Sequence, residues 1–114
     1  MATTAFPQEC DIVATLSPKD GKLDRVVELL TELTSSVQKN EPGVFSFHLY
    51  KDFDAETGKE QLVLVEKYAD KAAYDLHAEL PEFQAMHKKF REEELMERPI
   101  VIKSVKPLVG FYRD

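Results

Sequence analysis

The sequence has no tryptophan, one cysteine and four glycines in 114 residues. The lone cysteine, Cys10, excludes a disulfide within the chain, which is typical of proteins from a reducing compartment. The glycines stand singly, so they form no loop of the kind that holds phosphate. No apolar run approaches the ~20 residues of a membrane-spanning helix, and the first residues do not form a secretory signal. These absences predict a cytoplasmic protein with no membrane segment.

Concentrated positive charge is also missing. The formal net charge is −6, and the basic cluster at 88–91 runs directly into three glutamates. A nucleic-acid surface needs a clustered basic face, whereas mixed charge of this kind is typical of an exposed helix face. The three histidines (His48, His77 and His87) lack the close spacing of zinc ligands. The sequence therefore predicts no nucleic-acid partner and no metal site.

Hydrophobic periodicity, in contrast, is regular along the whole chain. Apolar residues that alternate predict strands, and apolar residues spaced by three and four predict helices. The predicted elements are a strand at 10–16, a helix at 23–40, strands at 44–50 and 61–68, a helix at 70–90 and a strand at 99–105. Asp70 is placed to cap the second helix, and Pro81 should split it near residues 79–80. The apolar stripe of that helix is predicted to include Leu76.

The order β-α-β-β-α-β indicates an α+β fold, the ferredoxin-like split βαβ arrangement with a four-stranded antiparallel sheet. A chain of this length is expected to form a single domain, with its core at about 10–108 and an apolar tail at 108–114. Two helices can cover only one face of such a sheet, yet Val63 and Val65 are apolar on the other face. An exposed apolar face of that size is unusual on a monomer. We therefore expect a homodimer that pairs sheet to sheet, with the tail extending the sheet or crossing to the partner.

Five short elements between residues 41 and 83 share a pattern with one known family. They are Glu41-Pro42-Gly43, the aromatic Phe47, Glu66-Lys67-Tyr68, Ala73 followed four residues later by His77, and Leu80-Pro81-Glu82-Phe83. In these elements the chain resembles the antibiotic-biosynthesis monooxygenases. The resemblance implies a dimeric α/β barrel that oxidises a small aromatic, quinol or polyketide-like substrate with O2 and without a cofactor. Tyr68 replaces a tryptophan of the pattern, and Glu82 replaces its second histidine.

The same resemblance suggests roles for five residues. His77 is the candidate base, since histidine is the usual proton acceptor near neutral pH. Glu66 would orient His77 or bind a substrate hydroxyl, and a carboxyl group in an apolar chamber would have a raised pKa. Tyr68, Phe47 and Phe83 would be walls of the substrate pocket. Removing a proton matters because an electron-rich anion can give one electron to O2 and so overcome the spin barrier to direct reaction.

Alternative interpretations of these residues stay open at this point. His77 could be a half-buried histidine bonded to a backbone carbonyl, and Glu66 could form a salt bridge at the sheet margin. Tyr68 and Phe47 could be ordinary core aromatics. The protein would then be a non-catalytic barrel that binds a small apolar molecule, or a stress-related protein.

The remaining histidines point elsewhere. His87 lies in a context similar to that of the ligand histidine in haem-degrading monooxygenases, but the asparagine and tryptophan on which those enzymes depend are absent. His48 alternates with Phe47, and so it is predicted on the opposite sheet face, in a structural or interface role.

Overall fold

The computed structural model describes residues 10–53 and 58–113. Its elements are β1 (Cys10–Leu16), α1 (Leu23–Asn40), β2 (Val44–Phe53), β3 (Glu60–Tyr68), α2 (Lys71–Glu79), α3 (Pro81–Glu92) and β4 (Val101–Val105). The four strands form one antiparallel sheet in the order β2-β3-β1-β4. This order confirms the α+β, ferredoxin-like fold. The segment between the predicted strands at 44–50 and 61–68 includes residues 54–57, which lie outside the described residues.

The two faces of β3 differ as its alternation predicts. Leu62, Leu64, Glu66 and Tyr68 are buried under the helices, and the residues between them are half-buried on the other face. β1 pairs with β3 in a register that places Ala14 opposite Leu64. The apolar stripe of α1 closes the core from above, with its buried residues Val26, Leu29, Leu30, Leu33 and Val37. The core therefore lies on one face of the sheet.

The second predicted helix is two helices, as Pro81 indicates. Leu80 has an extended backbone (φ −71°, ψ 146°), ends α2 and begins α3, because the residue before a proline avoids the helical region. Asp70 caps α2 through its side chain, as predicted. One detail of the prediction is wrong: Leu76 is 56% exposed, whereas His77 is 2% exposed. The break at Leu80 lets α2 turn independently of α3, so the two helices do not share one continuous stripe.

Within residues 10–53 and 58–113 no helix covers the second face of the sheet, which we call the uncovered sheet face; the tail meets it at Lys67, whose Nζ lies 5.2 Å from the ring centroid of Tyr112. This face carries Val13, Val63 and Val65 at its centre and the exposed residues His48 and Tyr50 on β2. Beyond β4, the tail residues Leu108 and Val109 are more than nine-tenths exposed. The tail adds no strand to the sheet within the described part of the chain. Among the described residues, no helix has the length and apolar character needed to span a membrane.

Candidate active site

A buried histidine–carboxylate pair lies at the junction of α2 and the turn before β2. His77 Nδ1 is 2.8 Å from Glu41 Oε1, and both side chains are less than one-tenth exposed. When Glu41 is ionised its carboxylate can only accept hydrogen bonds, so the Nδ1–H of His77 donates to it. In a neutral imidazole, that tautomer leaves Nε2 free to accept a proton. The pair therefore has the arrangement of an oriented general base.

The local sequence explains why these two side chains meet. Gly43 ends the turn that begins at Glu41, and a Cβ added there would lie 2.9 Å from Cβ of Ala73 in α2. The carbonyl of Gly43 also accepts a hydrogen bond from the backbone N–H of Ala69 at 2.8 Å. His77 follows Ala73 by four residues, and residues at that spacing share one face of a helix. The close packing of Gly43 on Ala73 thus brings Glu41 to His77.

The start of α2 is fixed by a second local feature. The carboxylate of Asp70 accepts a hydrogen bond from the backbone N–H of Ala73 at 2.8 Å. Such a cap satisfies one of the free N–H groups at a helix start and is worth about 1 kcal/mol. The same residue, Ala73, is therefore held both by the cap and by the packing of Gly43. This double restraint sets the position of the helix that carries His77.

Glu66 forms a second buried pair with Tyr68, whose hydroxyl donates to its carboxyl group. Glu66 is 5% exposed and Tyr68 is fully buried. Burial raises the pKa of Glu66 from its ordinary 4.5 to about 7; the hydroxyl of Tyr68 opposes this, and the charge of nearby Glu41 adds to it. Burial, followed by the neighbouring Glu66, also raises the pKa of Tyr68. Glu66 can therefore hold or release a proton near neutral pH.

Aromatic rings surround the His77 imidazole. Its centroid lies 5.0 Å from that of Phe83, 5.7 Å from Tyr68 and 5.8 Å from Phe47, and the Phe47 and Phe83 contacts are edge-on. Such contacts restrict the ring to one orientation and keep water away from it. His77 is therefore both aligned by Glu41 and shielded by aromatic side chains.

Several of these groups border an apolar cavity between the sheet and the helices. Glu66, Phe47, His77, Phe83 and His87 are among the residues that line it. Its volume is about 50 Å³, and one water needs about 10–15 Å³ on this measure. A volume of this size has room for O2 or the edge of a ring, and is too small for a whole polycyclic molecule.

The structure brings most of the predicted site residues together, with two differences. Tyr68 packs behind Glu66 and is not among the described residues that line the cavity; Tyr74, whose ring centroid is 5.3 Å from that of Tyr68, lines it instead. The carboxylate that orients His77 at Nδ1 belongs to Glu41, whereas the bond described for Glu66 is to Tyr68. Sequence reasoning missed the contact of Glu41 with His77 and the place of Tyr74 in the cavity wall. The Glu-x-Gly element that begins at Glu41 was the available signal.

The other two histidines have distinct environments. His87 lies between Phe83 and Phe90, at centroid distances of 4.3 and 5.5 Å, and burial, followed by the charge of Arg91, lowers its pKa. His48 is exposed on the uncovered sheet face, stacked on Tyr50, as its alternation predicts. Within residues 10–53 and 58–113, no group of three or more His, Cys, Asp or Glu side chains is arranged to hold a metal ion.

Comparisons with known proteins agree with the fold. The model of the antibiotic biosynthesis monooxygenase family matches residues 12–89. The chain is 25% identical to Rv0793 of Mycobacterium tuberculosis, with a TM-score of 0.75 and coverage of 90% of this chain and 97% of that one. A candidate antibiotic biosynthesis monooxygenase from Caulobacter crescentus is 23% identical, with a TM-score of 0.76 and coverage of 91% and 93%. A similar candidate from Nitrosomonas europaea is 18% identical, with a TM-score of 0.76 and coverage of 89% and 91%. No curated protein matches the sequence.

Proposed function

Because the chain belongs to the antibiotic biosynthesis monooxygenase family, we propose that it is a monooxygenase that oxidises a small aromatic, quinol or polyketide-like substrate with O2 and no cofactor. His77 is the base in this proposal, and Glu41 positions it. Glu66 binds the substrate oxygen or returns a proton to it. The observation that carries the proposal is the buried His77–Glu41 pair, 2.8 Å apart, at the wall of an apolar cavity.

The proton and electron balance fits these groups. His77 Nε2 takes a proton from the substrate, and the resulting anion gives one electron to O2, which yields a substrate radical and superoxide. The two radicals combine to form a C–O bond, and the peroxide anion takes a proton from His77 or Glu66. In a substrate with a reactive CH2 group, such as an anthrone, loss of water then leaves the new carbonyl, so that CH2 plus O2 becomes C=O plus H2O. The apolar lining of the cavity supports this sequence, because it offers water few hydrogen-bond partners beside the radical pair.

Oxygen uptake by the purified protein tests the proposal. An oxygen electrode would follow a panel of quinols, anthrones and catechols, with no metal or flavin added. We expect uptake above the autoxidation rate, and a loss of about 10²–10⁴-fold in kcat for His77→Ala. The matched control is Leu76→Ala, which changes an exposed neighbour in the same helix and should leave turnover unchanged. Equal turnover by His77→Ala and the original protein would refute the role of His77.

The same proposal includes a homodimer through the uncovered sheet face. Its support is the half-buried pair Val63 and Val65 at the centre of that face, together with exposed Val101 and Val105 on β4. Sedimentation velocity should give a dimer mass for the original chain and a monomer mass for Val65→Lys, because a charge at the centre of a buried interface is costly. Gln38→Lys, on the exposed side of α1, is the control that should remain dimeric. A monomeric original chain would contradict the dimer.

The competing candidate is a barrel that binds a small apolar molecule without reacting. Its support is the apolar lining of the cavity, which can hold an apolar group whether or not a reaction follows. Uptake that equals autoxidation for the whole panel, together with binding of a panel member, would favour this candidate. A haem titration is the next discriminator, because His87 borders the same cavity.

A further inference from the structure

A second concavity lies directly outside the reactive cavity. We call it the α3 groove; it runs between the end of α3 and residues 94–100, and its volume is about 600 Å³. Three residues line both spaces: His87, Phe90 and Ile100. These three side chains therefore form a partition with the cavity on one side and the groove on the other.

The two volumes suggest different tasks. The cavity has room for only a few water molecules, which is enough space for O2 and the edge of one ring. The groove is wide open to solvent, and its volume lies within the range of sites that hold small organic ligands, roughly 300–1,000 Å³. A substrate larger than one ring therefore needs space outside the cavity. The groove is the adjoining concavity that offers this space to a ring whose edge points toward His77.

The chemistry of the groove selects the kind of molecule. Its floor is apolar, formed by Phe90, Met96 and Ile100, and its rim carries exposed Arg91 and Arg98. Two acidic residues also lie there. One of them, Glu97, is already 3.1 Å from Nζ of Lys59 and 3.8 Å from a guanidinium nitrogen of Arg98.

The charges that line the groove nevertheless sum to a small positive excess. Lys19, Arg91 and Arg98 carry three positive charges against the two negative charges of Glu94 and Glu97, and Glu97 is also bound by Lys59, which does not line the groove. Guanidinium groups suit carboxylate and sulfonate oxygens, because they offer a planar set of N–H donors. An apolar floor with a positive rim fits a flat, partly anionic molecule.

We propose that the α3 groove binds the body of a planar aromatic substrate with an anionic substituent near Arg91 and Arg98. The reacting ring edge passes the partition of His87, Phe90 and Ile100 to reach the cavity. This inference rests on the proposed oxygenase function, since it assigns the substrate class of that site. The binding part can nevertheless be measured without turnover.

The absence of tryptophan from the chain makes a direct binding assay possible. Pro99 is exposed and lines the groove but not the cavity, so Pro99→Trp places a single fluorophore there. The probe is anthraquinone-2-sulfonate, a flat anion that quenches tryptophan. We expect saturable quenching in Pro99→Trp and only weak, linear quenching in Gln38→Trp, whose tryptophan would lie on the exposed side of α1. Linear quenching in both would overturn the groove; if Pro99→Trp does not fold, Lys19→Trp, at another exposed residue that lines the groove, serves in its place.

The role of the arginines has its own comparison. In the Pro99→Trp background, Arg91→Gln and Arg98→Gln should each weaken binding of the sulfonate about two- to fivefold, the usual size of an exposed ion pair. Binding of neutral 2-(hydroxymethyl)anthraquinone should not change. Equal effects on the binding of both probes, or no effect on either, would refute the proposal that the arginines bind an anionic substituent.

The outcomes separate this inference from the proposed function. Oxygen uptake that depends on His77, without saturable quenching at the groove, would overturn the groove and leave the oxygenase. Saturable quenching at the groove without oxygen uptake would overturn the oxygenase and leave the groove as a binding site.

Discussion

The carboxyl group of Glu66 should make the stability of the protein depend on pH in an unusual direction. Burial raises its pKa from 4.5 to about 7 in the folded chain. Between these two values the folded state holds a proton that the unfolded state has released. Stability that comes from the protonated carboxyl is therefore fully present below pH 4.5 and is lost as the pH rises through about 7. Most buried carboxylates with ion-pair partners act in the opposite sense.

The size of the effect follows from the two pKa values. Each pKa unit corresponds to 1.36 kcal/mol, so full ionisation of Glu66 costs about 3 kcal/mol of unfolding free energy. A glutamine at this position cannot ionise and can still accept the hydrogen bond from Tyr68. Glu66→Gln should therefore match the original protein near pH 4.5 and exceed its stability by about 3 kcal/mol at pH 8.

Urea denaturation at several pH values between 4.5 and 8 would measure this difference. The quantity to compare is the difference between the two proteins at each pH, because other groups titrate equally in both. Glu60→Gln, an exposed change on the same strand, is the control and should shift stability by less than about 0.5 kcal/mol at any pH. A Glu66→Gln protein that is less stable at pH 8, or a difference that does not vary with pH, would refute the reasoning.

Two further predictions concern the junction of α2 with the turn before β2. Gly43→Ala should lower the free energy of unfolding by about 1–3 kcal/mol, because its Cβ would lie 2.9 Å from that of Ala73; urea denaturation measures this, and a neutral effect would show that the junction can widen. Adding Ala73→Gly to that variant should recover part of the loss in a double-mutant cycle. Glu41→Gln should lower kcat by about tenfold or more, because the imidazolium that forms at His77 loses its counter-charge. The loss should be smaller than that caused by His77→Ala. An unchanged kcat in the oxygen assay would show that Glu41 does not position the base.

Much of the fold can be predicted from the spacing of apolar residues in the sequence. The alternation along β3 predicts which residues face the helices, and their burial agrees. Pro81 predicts the helix break, since its ring and missing N–H both oppose a continuous helix. The boundaries were less accurate: β2 continues to Phe53 and β4 begins at Val101, because strand ends depend on the partner strand rather than on local composition.

The site was harder to predict, for reasons of distance and rotation. Glu41 and His77 are 36 residues apart, and no local pattern states that a turn glutamate will contact a later helix. In α2, nine residues long, the period does not decide whether Leu76 or His77 faces inward. Tyr68 and Tyr74 differ in the same way, since only the packed structure shows which ring reaches the cavity. The groove is lined partly by the loop at residues 94–100, and the spacing of apolar residues does not predict the path of a loop.

The way α2 is held has a consequence for motion. His77 is the buried side chain of this helix, whereas α1 buries five apolar residues. Elements with little buried apolar area open locally at a lower free energy than the rest of the fold. The hydrogen bond from His77 to Glu41 is therefore an important restraint that holds α2 against the rest of the fold. Backbone amides of α2 should exchange with deuterium sooner than those of α1, and a substrate that engages His77 would slow their exchange.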